Sequence, residues 1–171
     1  MEKYIFEDEN KMFKFDFSNS LWAIDNLNTI YNNTVASILS DVDFIVETEE
    51  DIIFIEYKNS DIAGARNPDA FKEKIKKDSH YISIAKKYYG SLLYILGCEK
   101  EKNFKFVYIL ECKSADTVLR KFIRNKIQLK LPFKLQKCSE IKKQLISEFN
   151  ILSIDEWNTH PKYSKFPIST I

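Results

Sequence analysis

The chain reads as an α/β domain in which a mixed β-sheet is held between helices, and three features of its 171 residues predict this. Short β-branched and aromatic runs alternate with stretches of helical period, the order that builds α/β layers. Phe44-Ile45-Val46, Ile52-Ile53-Phe54-Ile55 and FKFVYILEC at 104–112 are apolar on successive positions, as strands covered on both faces are. Three glycines and four prolines are too few for the turns of a β-sandwich, and 44% hydrophobic content excludes disorder. The length suits one domain, residues 1–171, with a sizeable core.

The elements follow in order. Tyr4-Ile5-Phe6 and Phe13/Phe15/Phe17 read as two short strands around the turn 7–10. Ser18 or Ser20 offers an N-cap for a helix carrying Ala23/Ile24, Leu27, Ile30/Tyr31, Val35 and Ile38. The runs at 44–46 and 52–55 form a hairpin around residues 48–50. After a loop at 62–66, Asn67 as N-cap with Pro68 at the first position starts a long helix. Its stripe is Phe71, Ile75, Ile82, Ala85, Tyr89, Leu92 and Leu96. A buried strand covers 104–112, and a helix capped by Ser114 runs to about Ile127. Val118/Leu119 and Phe122/Ile123 face inward on it, with Arg120, Lys121 and Arg124 outward. LKLPFKLQK alternates as a strand, and Pro132 places it at an edge. A short helix capped by Ser139 is expected to carry Ile141, Leu145 and Phe149. Ser153 to Glu156 fits a capping box, and Trp157, Tyr163 and Phe166 form a docked tail.

The polar residues of the hairpin stand out against this pattern. Asp43 opens its first strand, while Glu56 and Lys58 close the second. Residues two apart on a strand share a face, so Glu56 and Lys58 point one way and Tyr57 the other. A fold-back at 48–50 brings Asp43 level with Glu56. Buried charge is costly unless it pairs or holds a metal. The pattern Asp43, twelve intervening residues, then Glu56-Tyr57-Lys58 resembles the signature of the PD-(D/E)xK nuclease superfamily. No proline precedes Asp43, and Asp41 competes for the place of the first acid.

That resemblance implies a restriction-endonuclease-like fold and a metal-dependent nuclease. Asp43, Glu56 and the backbone carbonyl of Tyr57 would hold Mg²⁺ or Mn²⁺. Lys58 would orient the attacking water or offset transition-state charge. Asp25, on the preceding helix, is a candidate for an extra carboxylate, the alternative being a solvent-facing aspartate. The residues from Lys72 to Lys76 on the following helix would lie nearest the site, and His80 reads as packed or surface-lying.

Charge is divided along the chain. Residues 1–56 hold thirteen acids and three bases, and residues 57–171 hold twelve acids and twenty-three bases. Such a division suits a metal-holding half beside a phosphate-holding half. Arg120, Lys121, Arg124, Lys130 and Lys134 are the expected nucleic-acid contacts, with DNA the expected partner and a homodimer favoured if both strands of a duplex are cut. The alternative is a catalytically silent nucleic-acid- or protein-binding domain of the same fold. Cys98, Cys112 and Cys138 are far apart and form no CxxC or Cys/His cluster, which suits free thiols in a reducing cytoplasm. No signal-peptide core or membrane-length run is present, so the expected location is the cytoplasm.

Overall fold

A computed structural model describes residues 4–35, 38–62, 67 and 69–171. Its elements are β1 (Ile5–Glu7), β2 (Phe13–Asp16), β3 (Trp22–Ile24), α1 (Leu27–Thr34), β4 (Phe44–Glu47) and β5 (Asp51–Asn59). There follow α2 (Ala70–Lys74), α3 (Asp78–Gly97), β6 (Asn103–Glu111), α4 (Thr117–Gln128), β7 (Glu148–Leu152), α5 (Ile154–Thr159) and β8 (Ile168–Thr170). The central sheet has the order β3-β4-β5-β6-β7. Its first three strands are antiparallel neighbours, whereas β5, β6 and β7 run parallel. A second, antiparallel sheet is ordered β1-β2-β8.

Strand alternation divides the interior into two cores. Ile45, Ile52, Phe54, Phe106 and Tyr108 face α1, α3 and α4. Phe44, Val46, Ile53, Ile55, Val107 and Ile109 face the small sheet and the aromatic tail, where Phe15, Phe17, Trp157, Tyr163 and Phe166 are buried. Both faces of β5 are therefore covered, which accounts for its unbroken apolar sequence. The α/β class, the mixed sheet, the hairpin and the docked tail agree with the sequence. Ser153 closes the expected capping box with Glu156.

Several expected elements differ. Trp22–Ile24 is a strand rather than the start of a helix, because Ala23 and Ile24 pair with Val46 and Ile45 and cover the edge of β4. The expected long helix is broken at Ile75–Lys77 into α2 and α3, and the Tyr81 hydroxyl caps the released Ile75 carbonyl at 2.6 Å. The expected loop at 63–66 and Pro68 at the helix start lie outside the described residues. The α3 stripe is Tyr81, Ile84, Ala85, Tyr88, Leu92 and Ile95, leaving Ile82 and Tyr89 exposed. Asp116, not Ser114, caps α4 by accepting the Leu119 N–H. Val118 and Phe122 are exposed on that helix, whereas Ile123 and Ile127 are buried.

The two elements expected at the far edge exchange character. Residues 129–137 form turns and a 3₁₀ segment at Leu135–Lys137, and Phe149 lies on strand β7 rather than on a helix. Pro132 withholds an N–H, while the Gln136 amide takes a strand's part. Its Oε1 accepts from the N–H groups of Leu145 and Ile146, and its Nε2 donates to the Ile146 carbonyl. That side chain holds the segment in place without a ladder.

Candidate functional site

The site begins where β4 and β5 part. Thr48 N–H donates to the Asp51 carbonyl, which marks 51, 53, 55 and 57 as the β5 residues whose backbone groups point towards β4. Tyr57 is the first of these beyond the end of β4, which starts at Phe44. Its expected backbone partner, Val42, has turned away, and Val42 N–H donates to the buried Ser91 Oγ at 2.9 Å. The Asp43 carboxylate takes the vacated position and accepts Tyr57 N–H at 2.7 Å. The Tyr57 carbonyl, directed to the same edge, is left facing the opening. Its ring lies on the other sheet face against Phe13 and Phe15.

The close approach of α3 produces this divergence. A Cβ on Gly90 would lie 1.9 Å from the Ser40 carbonyl oxygen, so only glycine lets the helix meet residues 40–42. Tyr31 of α1 donates to the Gly90 carbonyl and locks the contact. Lys87, one turn before Ser91, then projects over the end of β5. Its Nζ lies 2.6 Å from Glu56 Oε1 and 3.9 Å from Asp43 Oδ1. The Phe44↔Ile55 register puts Asp43 opposite Glu56 on one sheet face.

These groups line a cleft of about 690 Å³. The turn at 7–12 forms one wall, tied down by Asp8, whose carboxylate accepts N–H groups from Asn10, Met12 and Phe13. Lys11 takes φ 52° in that turn. Asp25, Asp41 and Lys58 also line the cleft.

Glu56 is buried, and its Oε2 has no hydrogen-bond partner among the described residues. Burial, then the Asp43 charge, push its pKa up to about 8 against the opposing pull of Lys87. Burial raises Asp43 too, opposed by Lys87 and the Tyr57 N–H. It also raises Asp41 and Asp25. Burial works against the Lys87 ammonium, but Glu56 and Asp43 outweigh it and hold its pKa above the ordinary lysine value. Two carboxylates thus share one ammonium, and the acid side is in excess.

The sequence-derived residues fall into two groups. Asp43, Glu56 and Tyr57 come together. Asp43 accepts Tyr57 N–H and lies 3.9 Å from Lys87, while its competitor Asp41 lines the same cleft and also feels the Lys87 charge. Lys58 shares the cleft, but among the described residues it makes no ion pair with either acid. It stands near His80, whose pKa is lowered by burial, then by Lys74 and Lys58. Lys72 and Lys76 form exposed pairs with Asp69 and Glu73, outside the cleft. The helical residue that reaches the acids is Lys87. Its i, i+4 relation to Ser91 was the available signal, hidden by reading the apolar stripe through Ile82 and Tyr89.

The expected nucleic-acid contacts do not line the cleft. Arg120 pairs with Glu156 at 2.9 Å, Arg124 donates to the Phe149 carbonyl, and Lys130 pairs with Asp78 at 2.8 Å. Lys121 and Lys134 are exposed. Lys130 and Lys134 lie in turns rather than on an edge strand.

Among the described residues no three His, Cys, Asp or Glu side chains are grouped to hold one ion. None has a helix long and apolar enough to cross a membrane. Cys98, Cys112 and Cys138 are unpaired. The chain matches no family model, no curated protein and no solved structure.

Proposed function

We propose that the protein is a metal-dependent nuclease of the PD-(D/E)xK type, with a restriction-endonuclease-like fold, that hydrolyses phosphodiester bonds in nucleic acid, DNA first among the substrates to test. The observation that carries this reading is the convergence of Asp43, Glu56 and the Tyr57 backbone at an opened strand end. Glu56 lines the same cleft, and its Oε2 is buried without a hydrogen-bond partner among the described residues. The donor set fits Mg²⁺ or Mn²⁺, because a hard ion takes carboxylate and carbonyl oxygens and completes its shell with water. When bound, such an ion polarises a phosphoryl oxygen and lowers the pKa of a coordinated water.

The protein's own residues then have distinct duties. Asp43 and Glu56 would hold the ion, with the Tyr57 carbonyl beside them. Lys58, on the same strand face as Glu56 and without a carboxylate partner among the described residues, is placed to orient water or to offset charge in the transition state. Asp43 is itself positioned by Tyr57 N–H, and the divergence that exposes this edge is held by Ser91. The central mixed sheet, covered by α1, α3 and α4 on one face and by α5 with the small sheet on the other, supports the fold assignment, and a cytoplasmic location accords with the unpaired cysteines.

The test is a screen of single- and double-stranded DNA and RNA with Mn²⁺, using EDTA as control. Glu56→Ala is expected to lose both metal binding and cleavage. Lys58→Ala is expected to keep metal binding and to lose cleavage by ~10²-fold or more. Full activity in the lysine variant would remove Lys58 from the chemistry. A second reading is favoured by one contact, the 2.6 Å bond from Lys87 to Glu56. If that pair is permanent, the chain is a silent binding domain, and the screen will show binding without cleavage.

A further inference from the structure

We infer that Lys87 is an internal counter-ion, standing between Asp43 and Glu56 in the metal-free protein and released into the cleft when a divalent cation is taken up. The inference rests on the metal-binding reading above and gives this chain's lysine a role in regulating that site. Three observations carry it. The Lys87 ammonium touches Glu56 Oε1 at 2.6 Å and approaches Asp43 Oδ1 at 3.9 Å, so it lies beside both acids that would hold the ion. It satisfies them unequally, since Glu56 Oε2 remains without a partner among the described residues. Once both acids are ionised, as metal uptake requires, a single positive charge leaves the pair short of neutrality, whereas a divalent cation balances both.

Lys87 can yield its place. Its helix is anchored by Gly90 and Ser91, but its side chain is 30% exposed and carries a flexible four-carbon stem. The cleft beside it is lined by Asp25 and Asp41, so the freed ammonium stays in a field that retains it. An incoming phosphate would then meet a cation that the metal-free protein keeps engaged. In this arrangement Lys87 guards the carboxylates against like-charge repulsion until the ion arrives.

Calorimetric titration of the full chain with MnCl₂ tests this with wild type, Lys87→Met and Glu56→Gln. Lys87→Met is expected to bind Mn²⁺ about tenfold or more tightly than wild type, because no ammonium competes for the carboxylates. Equal or weaker binding by Lys87→Met, with wild-type binding lost in Glu56→Gln, overturns the inference and leaves the metal site intact. No binding by wild type or by Lys87→Met overturns both. Should Lys87→Met fail to fold, trace acylation of wild-type lysines followed by mass spectrometry gives an independent answer. Labelling of Lys87 is expected to be several-fold faster with saturating Mg²⁺ than with EDTA, and an unchanged or slower rate overturns the inference.

Discussion

The two ends of the β5–β6 strand pair both bury charge, but only one of them closes it. At the N-terminal end Lys105, 7% exposed, lies 2.7 Å from Asp51 and 3.8 Å from Glu148, which Lys162 also approaches at 3.7 Å. Beside it Glu47 is held between Lys100 and Lys102. Burial works against that carboxylate, yet the two lysine bonds outweigh it and hold its pKa below the usual glutamate value. At the C-terminal end Lys87 is the one ion-pair partner of Asp43 and Glu56 among the described residues, and both pKa values are raised. The comparison teaches that buried charge by itself marks no site. Both clusters border a cleft, and what distinguishes the second is that its acid groups outnumber its ammonium.

Breaking the closed end should give the largest effect on stability. Lys105→Met leaves Asp51 buried without its ammonium, and removal of one partner of a buried pair costs about 3–5 kcal/mol. Glu56→Gln, which replaces an acid held protonated by a neutral amide of the same shape, should leave metal-free stability unchanged or higher. Urea unfolding in EDTA measures both. Equal destabilisation by the two variants would erase the distinction between the ends.

The pH dependence of stability sharpens the same contrast. Glu56 is held near 8 in the folded chain against an ordinary value of 4.5, so the folded state binds more protons than the unfolded state across that window. The resulting stabilisation is complete below the ordinary value and is lost as pH rises through about 8. In EDTA the wild-type Tm should therefore fall between about pH 5 and about pH 9, and Glu56→Gln should flatten the decline. An identical slope in the variant would mean that Glu56 is not held protonated.

Why the hairpin was legible and Lys87 was not has a physical basis. Two β-branched runs around a polar turn leave little choice of partner, and burial on both faces fixes register, so Asp43, Glu56 and Tyr57 follow from residues 43–57 alone. Lys87 depends on the rotation of α3 about its axis. Adjacent large residues such as Tyr88 and Tyr89 make two phases of the apolar stripe equally readable there, and only packing against β5 selects Tyr88. The far edge failed for another reason. Alternation at 129–135 imitates a strand, but Leu129 and Leu135 are exposed and Gln136 supplies the hydrogen bonds from a side chain. At 22–24 the free edge of β4 recruits residues whose spacing also suits a helix.

The smallest expected effect concerns α4. We propose that its outer face meets phosphate, yet Arg120 and Arg124 are engaged with Glu156 and the Phe149 carbonyl. Lys121 is the one of the three without an ion pair or hydrogen bond among the described residues. Replacing all three with Gln should weaken nucleic-acid binding alike for all sequences. The slope of log K against log salt should fall by about one, the contribution of a single phosphate contact. An unchanged slope would make this a solvated helix face, with any substrate held elsewhere.

Whether Asp43 and Glu56 bind a divalent cation is tested most directly by thermal unfolding with and without Mn²⁺. A ligand that binds only the folded state raises its Tm in proportion to the logarithm of ligand concentration above Kd. Wild type should therefore show a rise that grows with Mn²⁺ and is reversed by EDTA, while Asp43→Asn and Glu56→Gln should show none. A Tm indifferent to Mn²⁺ in wild type, or an equal rise in all three chains, would contradict the claim that Asp43 and Glu56 form a metal site.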